Sequence, residues 1–187
     1  MADPALKRAT LADLEALPDT VVGELIQGVL YTMARPRPRH QNASGVVFGE
    51  VHGAFQRGRT GPGGWWILVE PGIALPEVDV DELSPDIAGW RKERVPVLPE
   101  GRIHVVPDWV CEVLSPSTRS HDQRIKRPLY AQAGVRWMWV VDVDAKTLVV
   151  SRNEGGKWLE IGVFGDEDVM QAEPFEVLPI ELRELWS

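Results

Sequence analysis

Cysteine is almost absent from this chain. Cys111 is the sole example among 187 residues, so no disulfide can close within it. That excludes the disulfide frameworks of small secreted domains and points to a reducing compartment, the cytoplasm. Long apolar runs are lacking too. No stretch approaches the ~20 residues that a membrane-spanning helix requires. The opening MADPALKRATLADLEALPDT has no uninterrupted apolar core of the signal-peptide kind, and a soluble protein is expected. Bases are in deficit, 20 against 28 acids, for a net charge of −8. That balance disfavours a constitutive grip on a phosphate backbone. No internal repeat is visible, and GPGG at 61–64 lacks the lysine and following helix of a phosphate loop.

What is present reads as one domain over 1–187, with 151–187 as a C-terminal extension of it. The few bases are clustered, in ARPRPRH (34–40), QRGR (56–59), WRKER (90–94) and STRSHDQRIKR (117–127). Thr10 followed by Leu11, Leu14 and Leu17 predicts a capped helix. VVGELIQGVLYTM predicts a hairpin turning near Gln27-Gly28. Apolar residues at 43, 47, 51, 54 and 55 predict a helix over His40 to Gln56. WWILVEPGIAL reads as a strand interrupted at Pro71-Gly72 by a bulge or turn, and SPDIAGW as a short strand. Trp109 to Leu114 is apolar except for Glu112, the pattern of a strand buried on both faces. Ser120 with Gln123 forms a candidate capping box, Pro128 should kink or divide the helix that follows, and Gly134 should end it. WMWVVDVDAKTLVVSR predicts two strands joined at Asp142 to Lys146. The remainder reads as irregular, with a short helix near Ile180 to Leu185. Strand, helix, strand across 108–141 implies a parallel pair with a right-handed crossover. The expected class is α/β (α+β), a central mixed sheet flanked by helices.

The acids carry the chemistry. Asp108 and Glu112 share one face of a strand yet stand about 13 Å apart along it, too far for one ion. Asp108 is therefore expected at the strand's entrance as a solvated or capping acid. A second Pro-Asp pair, Pro85-Asp86, lies on another strand, and cross-strand pairing can bring Asp86 within about 5 Å of Glu112. A carboxylate inside WVCEVL is costly unless a cation compensates it, whether an arginine or a metal. Two residues after Glu112, on the same face, stands Leu114, which offers no charge. The lysine in the following helix is Lys126, spaced by four from Asp122 and Tyr130. As bare spacing, Asp122 and Lys126 also fit a surface ion pair. A nucleophile reading of Cys111 or Ser115 with His121 is disfavoured, because Cys111 points away from Glu112 and no oxyanion-forming glycine turn follows.

Taken together, TLADLEAL, GELIQGVL, the basic run ending in His40, SPDIAG, PDWVCEVLSPST, the Asp122–Lys126–Tyr130 ladder, Gly134 and WMWVVD resemble the PD-(D/E)XK nuclease superfamily. Within it, the chain is most similar to the Uma-two family of restriction-endonuclease-like proteins, over roughly residues 10–150. The resemblance implies a restriction endonuclease-like fold and Mg²⁺- or Mn²⁺-dependent hydrolysis of DNA. It implies Asp86, Glu112 and the Val113 carbonyl as metal ligands, with the lysine moved from strand to helix as Lys126. Glu24 would add a ligand or orient a water. Arg35, Arg37, Arg39 and His40 would meet the nucleic-acid backbone, helped by Arg57 and Arg59. A homodimer would present two sites to two strands. The alternative is a catalytically silent relative that binds nucleic acid or a protein. The eight tryptophans read as core or interface.

Overall fold

Gln27 and Gly28 both adopt positive φ, 52° and 73°, as a two-residue type I′ turn requires. They join β1 (Val21–Ile26) to β2 (Val29–Ala34), with Glu24 opposite Tyr31. The computed structural model describes residues 7–18, 20–34 and 36–187. Ahead of the hairpin lies α1 (Leu11–Glu15), closed by reciprocal Thr10–Asp13 capping. Two further strands, β4 (Ile73–Leu75) and β5 (Val80–Leu83), complete a four-stranded sheet in the order β2-β1-β5-β4.

The larger sheet has six strands. These are β3 (Trp65–Val69), β6 (Ile87–Arg91), β7 (Trp109–Leu114), β8 (Trp137–Asp142), β9 (Thr147–Glu154) and β10 (Lys157–Gly165). Their order is β10-β9-β8-β7-β6-β3. Only β7 and β8 run parallel, joined by the crossover helix. That helix has three parts: α3 (Arg119–His121), a π-turn over Asp122–Lys126, and α4 (Arg127–Ala133), which Gly134 ends at φ 88°. On one face the sheet packs against α2 (Pro38–Val51), its π-turn His52–Gln56 and the C-terminal segment. On the other it packs against the crossover helix and the small sheet. β7 lies between and is buried along its whole length.

Four tryptophans, 65, 90, 109 and 139, are fully buried. Three of them surround Phe175 with ring centroids 4.9–5.6 Å away, and edge-on contacts of this kind favour a dry core over a base-stacking platform. Phe175 belongs to the segment after β10, which ends in β11 (Val169–Met170), β12 (Ile180–Glu181) and a 3₁₀ turn over Leu182–Trp186.

Several expectations need correction. The break at Pro71-Gly72 is no irregularity within one strand: β3 belongs to the large sheet and β4 to the small one. The C-terminal part is not irregular, since β10 is a nine-residue edge strand. Its register slips between Glu160 and Gly162, and such a bulge destroys the alternation by which a strand is recognised. Ser120 caps nothing. The helix begins after Thr118, whose N–H donates to Ser115 Oγ at 3.2 Å. Pro128 distorts the helix without ending it: a π-turn precedes it, and Arg127 N–H reaches back five residues to Asp122 O. Asp108 is not solvated. It is fully buried, accepts Arg91 N–H at 2.9 Å and pairs with Arg94 at 2.9 Å. Among the described residues, no helix is long and apolar enough to cross a membrane.

Candidate active site

The ladder between β6 and β7 pairs Ile87 with Cys111, so the residue before Ile87 falls beside Glu112. Asp86 thereby comes alongside. Its Oδ2 accepts Val113 N–H at 2.7 Å, and its own N–H points at Glu112 Oε2 from 3.4 Å. Glu112 follows Val110 on the face toward the crossover helix, whereas Cys111 and Val113 face the opposite core. The two acids anticipated from two strands thus share one corner of the sheet.

The crossover helix supplies the cation. Lys126 Nζ donates to the Ser84 carbonyl at 2.9 Å and forms ion pairs with Glu112 Oε1 at 2.8 Å and Glu24 Oε1 at 3.2 Å. Asp122 Oδ1 is farther, at 3.8 Å. The π-turn contributes to this arrangement. Four residues of α-helix overshoot one turn by about 40°. Four residues of π-helix, at ~4.4 per turn, undershoot it by about 33°. A π step from Asp122 to Lys126 and an α step from Lys126 to Tyr130 nearly cancel, and the three side chains line up. All three are buried, so the surface-pair alternative for Asp122 and Lys126 is excluded. Tyr130 donates its hydroxyl to Glu112 Oε1 at 2.6 Å.

Glu24 stands one layer behind. It is fully buried, accepts Ser84 N–H at 3.0 Å on Oε1 and contacts His121 Nε2 at 2.6 Å through Oε2. Both of its oxygens are engaged and it does not line the cavity. It supports Lys126 rather than facing a ligand. His121, weighed in the sequence only as partner to a nucleophile, serves Glu24 instead. His40 is buried at the start of α2, with Nε2 3.3 Å from Asp86 Oδ1, so it is no exposed phosphate hook.

A cavity of about 200 Å³ opens over these groups, lined by Asp86, Glu112, Asp122, Lys126, His40 and Arg37, with Ser115, Ser117 and Thr118 at its edge. Arg39 instead pairs with Asp144 at 3.6 Å. Arg57 and Arg59 follow the far end of α2 and line no part of it. Arg35 lies outside the described residues.

Charge at the site is unbalanced. Burial pushes the Glu112 carboxyl well above the usual carboxylate range, and Lys126 offsets this only in part. Burial likewise raises Asp122 against the pull of Lys126. Burial would lower Lys126, but Glu112, Glu24 and the other acids outweigh it and hold the ammonium well above its ordinary value. Glu24 is lowered despite its burial, by Lys126 and the bonds from His121 and Ser84. For His40, burial is outweighed by Asp86 and the Val113 carbonyl, and its pKa rises. Four carboxylates thus face one buried ammonium.

Among the described residues, no three His, Cys, Asp or Glu side chains converge as a ready metal-ligand group. The donors that do meet at the cavity are Asp86 and Glu112, with the Val113 backbone tied to Asp86 through its N–H. An all-oxygen set with surplus negative charge suits a hard cation such as Mg²⁺ or Mn²⁺. Glu112 lines the cavity, and among the described residues the hydrogen bond to its Oε2 is the long one from Asp86 N–H at 3.4 Å.

A family model described as "Uma2: Putative restriction endonuclease" matches residues 11–183. A crystal structure described as "a putative nuclease belonging to DUF820 from Anabaena variabilis ATCC 29413" matches with a TM-score of 0.72 at 21% identity, covering 95% of this chain and 97% of that one. At that identity the likeness establishes the fold. No curated protein sequence matches.

Proposed function

Since the chain belongs to the Uma2 family, we propose that it is a metal-dependent nuclease hydrolysing phosphodiester bonds of DNA. Asp86, Glu112 and the Val113 carbonyl would hold Mg²⁺ or Mn²⁺. The observation that carries this reading is the pairing of Asp86 and Glu112 at one sheet corner with Lys126 bonded to the second acid. When bound there, a divalent ion would supply Lewis acidity toward the scissile phosphate and the attacking water. Lys126 clamps Glu112, and its charge offsets negative charge developing on the phosphate. Arg37 at the cavity wall positions the substrate backbone. A net charge of −8 favours the second reading, a silent relative that binds without cutting.

Plasmid cleavage with Mg²⁺ or Mn²⁺ tests the proposal. Asp86→Asn and Glu112→Gln should each lower the rate at least ~100-fold while circular dichroism stays native. Wild-type rates in either variant would remove the assigned residue from the site. Absence of metal uptake by the wild-type protein would favour the silent relative.

A further inference from the structure

Tyr130 closes the ladder seen in the sequence, yet the reaction as described gives it no part. Its side chain is fully buried in the cluster with Val110, Leu129, Val135 and Met138, which fixes where its hydroxyl can lie. A buried phenol needs an acceptor, and this one donates to Glu112 Oε1 at 2.6 Å. Lys126 occupies the same oxygen at 2.8 Å. Oε1 thus carries both the phenol's hydrogen bond and the ion pair with Lys126. Among the described residues, the hydrogen bond to Oε2 is the long one from Asp86 N–H at 3.4 Å.

We propose that Tyr130 is a positioning residue that commits Glu112 to a single ion-facing oxygen, Oε2. The inference rests on the metal-dependent reading above and adds to it the supporting residue. Lys126 cannot impose this orientation alone. An ammonium is a point charge with three rotatable donors, here divided among Ser84, Glu24 and Glu112. The phenol has one proton, one direction and a ring wedged in the core. Without it, Glu112 is free to turn and share both oxygens with Lys126.

The test is an Mn²⁺ titration of full-length wild type and Tyr130→Phe, followed by calorimetry and by the paramagnetic resonance of free Mn²⁺. Outer partners of metal ligands typically carry about 10–100-fold in affinity, and a loss in that range is expected. The metal-free thermal midpoint should move by only a few degrees, and cleavage should recover toward wild type as Mn²⁺ is raised. Unchanged Mn²⁺ affinity in Tyr130→Phe overturns the proposal, and loss of Mn²⁺ binding in Glu112→Gln alongside it would leave the nuclease reading standing. A Tyr130→Phe protein that no longer unfolds cooperatively also counts against it, since the hydroxyl would then serve the fold. A wild-type protein that takes up no Mn²⁺ overturns both readings.

Discussion

Glu112 occupies a strand position that stability alone would give to an aliphatic residue, next to Val110 and Val113, both fully buried. Its charge is raised in energy by burial and only partly relieved by Lys126. Glu112→Gln retains an acceptor for Tyr130 and Lys126 while removing that charge. Lys126 keeps Glu24 as its ion-pair partner in this variant, so the charge removed is a surplus one and no buried cation is left unpaired. The metal-free variant should therefore melt at or up to ~3 °C above wild type by differential scanning calorimetry, a gain of about 1 kcal/mol. A midpoint several degrees lower would contradict the account of Glu112 as a functional expense. At this scale the sequence was informative about what is costly. A lone acid within WVCEVL and a second Pro-Asp sufficed to pair Glu112 with Asp86. It was less informative about support. Asp122 and Tyr130 at four-residue spacing look the same on a solvated helix as on a buried one. Asp108 was rightly separated from Glu112 by strand geometry, but its burial depends on Arg94, which nothing local announces.

The crossover helix shows how an element can be tuned by one residue. Pro128 has no N–H, and its ring crowds the carbonyl four residues earlier. The helix widens just before it, and that widening turns Asp122 into the cavity. The start of the helix is tied to the end of β8 by Arg119, which donates to both oxygens of Asp142 at 2.5 and 2.9 Å. The hydrogen bonds from Arg119 hold the Asp142 carboxyl below its ordinary value. A carboxyl lowered in this way contributes stability above its unfolded pKa and loses it as pH falls through the folded one. Asp142→Asn should therefore be less stable than wild type near neutrality, by no more than about 1 kcal/mol because Arg119 is 38% exposed. The difference should vanish in acid. Urea unfolding at pH 7 and at pH 3 would show it, and an equal gap at both would exclude the ion pair as its source. Elements with regular periodicity, such as the Gln27-Gly28 hairpin and β7, were legible in advance. β10 was not, because one bulged residue erases its alternation, and the passage from β3 to β4 looks locally like any Pro-Gly turn.

At the scale of the molecule, the site belongs to neither sheet. Glu24 comes from the small sheet and Glu112 from the large one, Ser84 and Asp86 from the link between β5 and β6, and Lys126 from the crossover helix. The sequence predicted the large sheet and its parallel pair, but gave no sign that a second sheet would wall the cleft. Lys126 bonds Ser84 from 42 residues away, and His121 meets Glu24 across 97. Contacts that close such long loops form late in folding, because their entropic cost precedes any reward. Lys126→Met leaves buried acids unpaired, at a cost of about 3 kcal/mol. Nearly all of that should appear as faster escape from the native state. Stopped-flow unfolding in urea should accelerate on the order of 100-fold while the refolding arm stays in place. A slowed refolding arm would instead put Lys126 in the nucleus. The corner that holds Asp86, Glu112 and Lys126 is then the last part of the chain to close and the first to open.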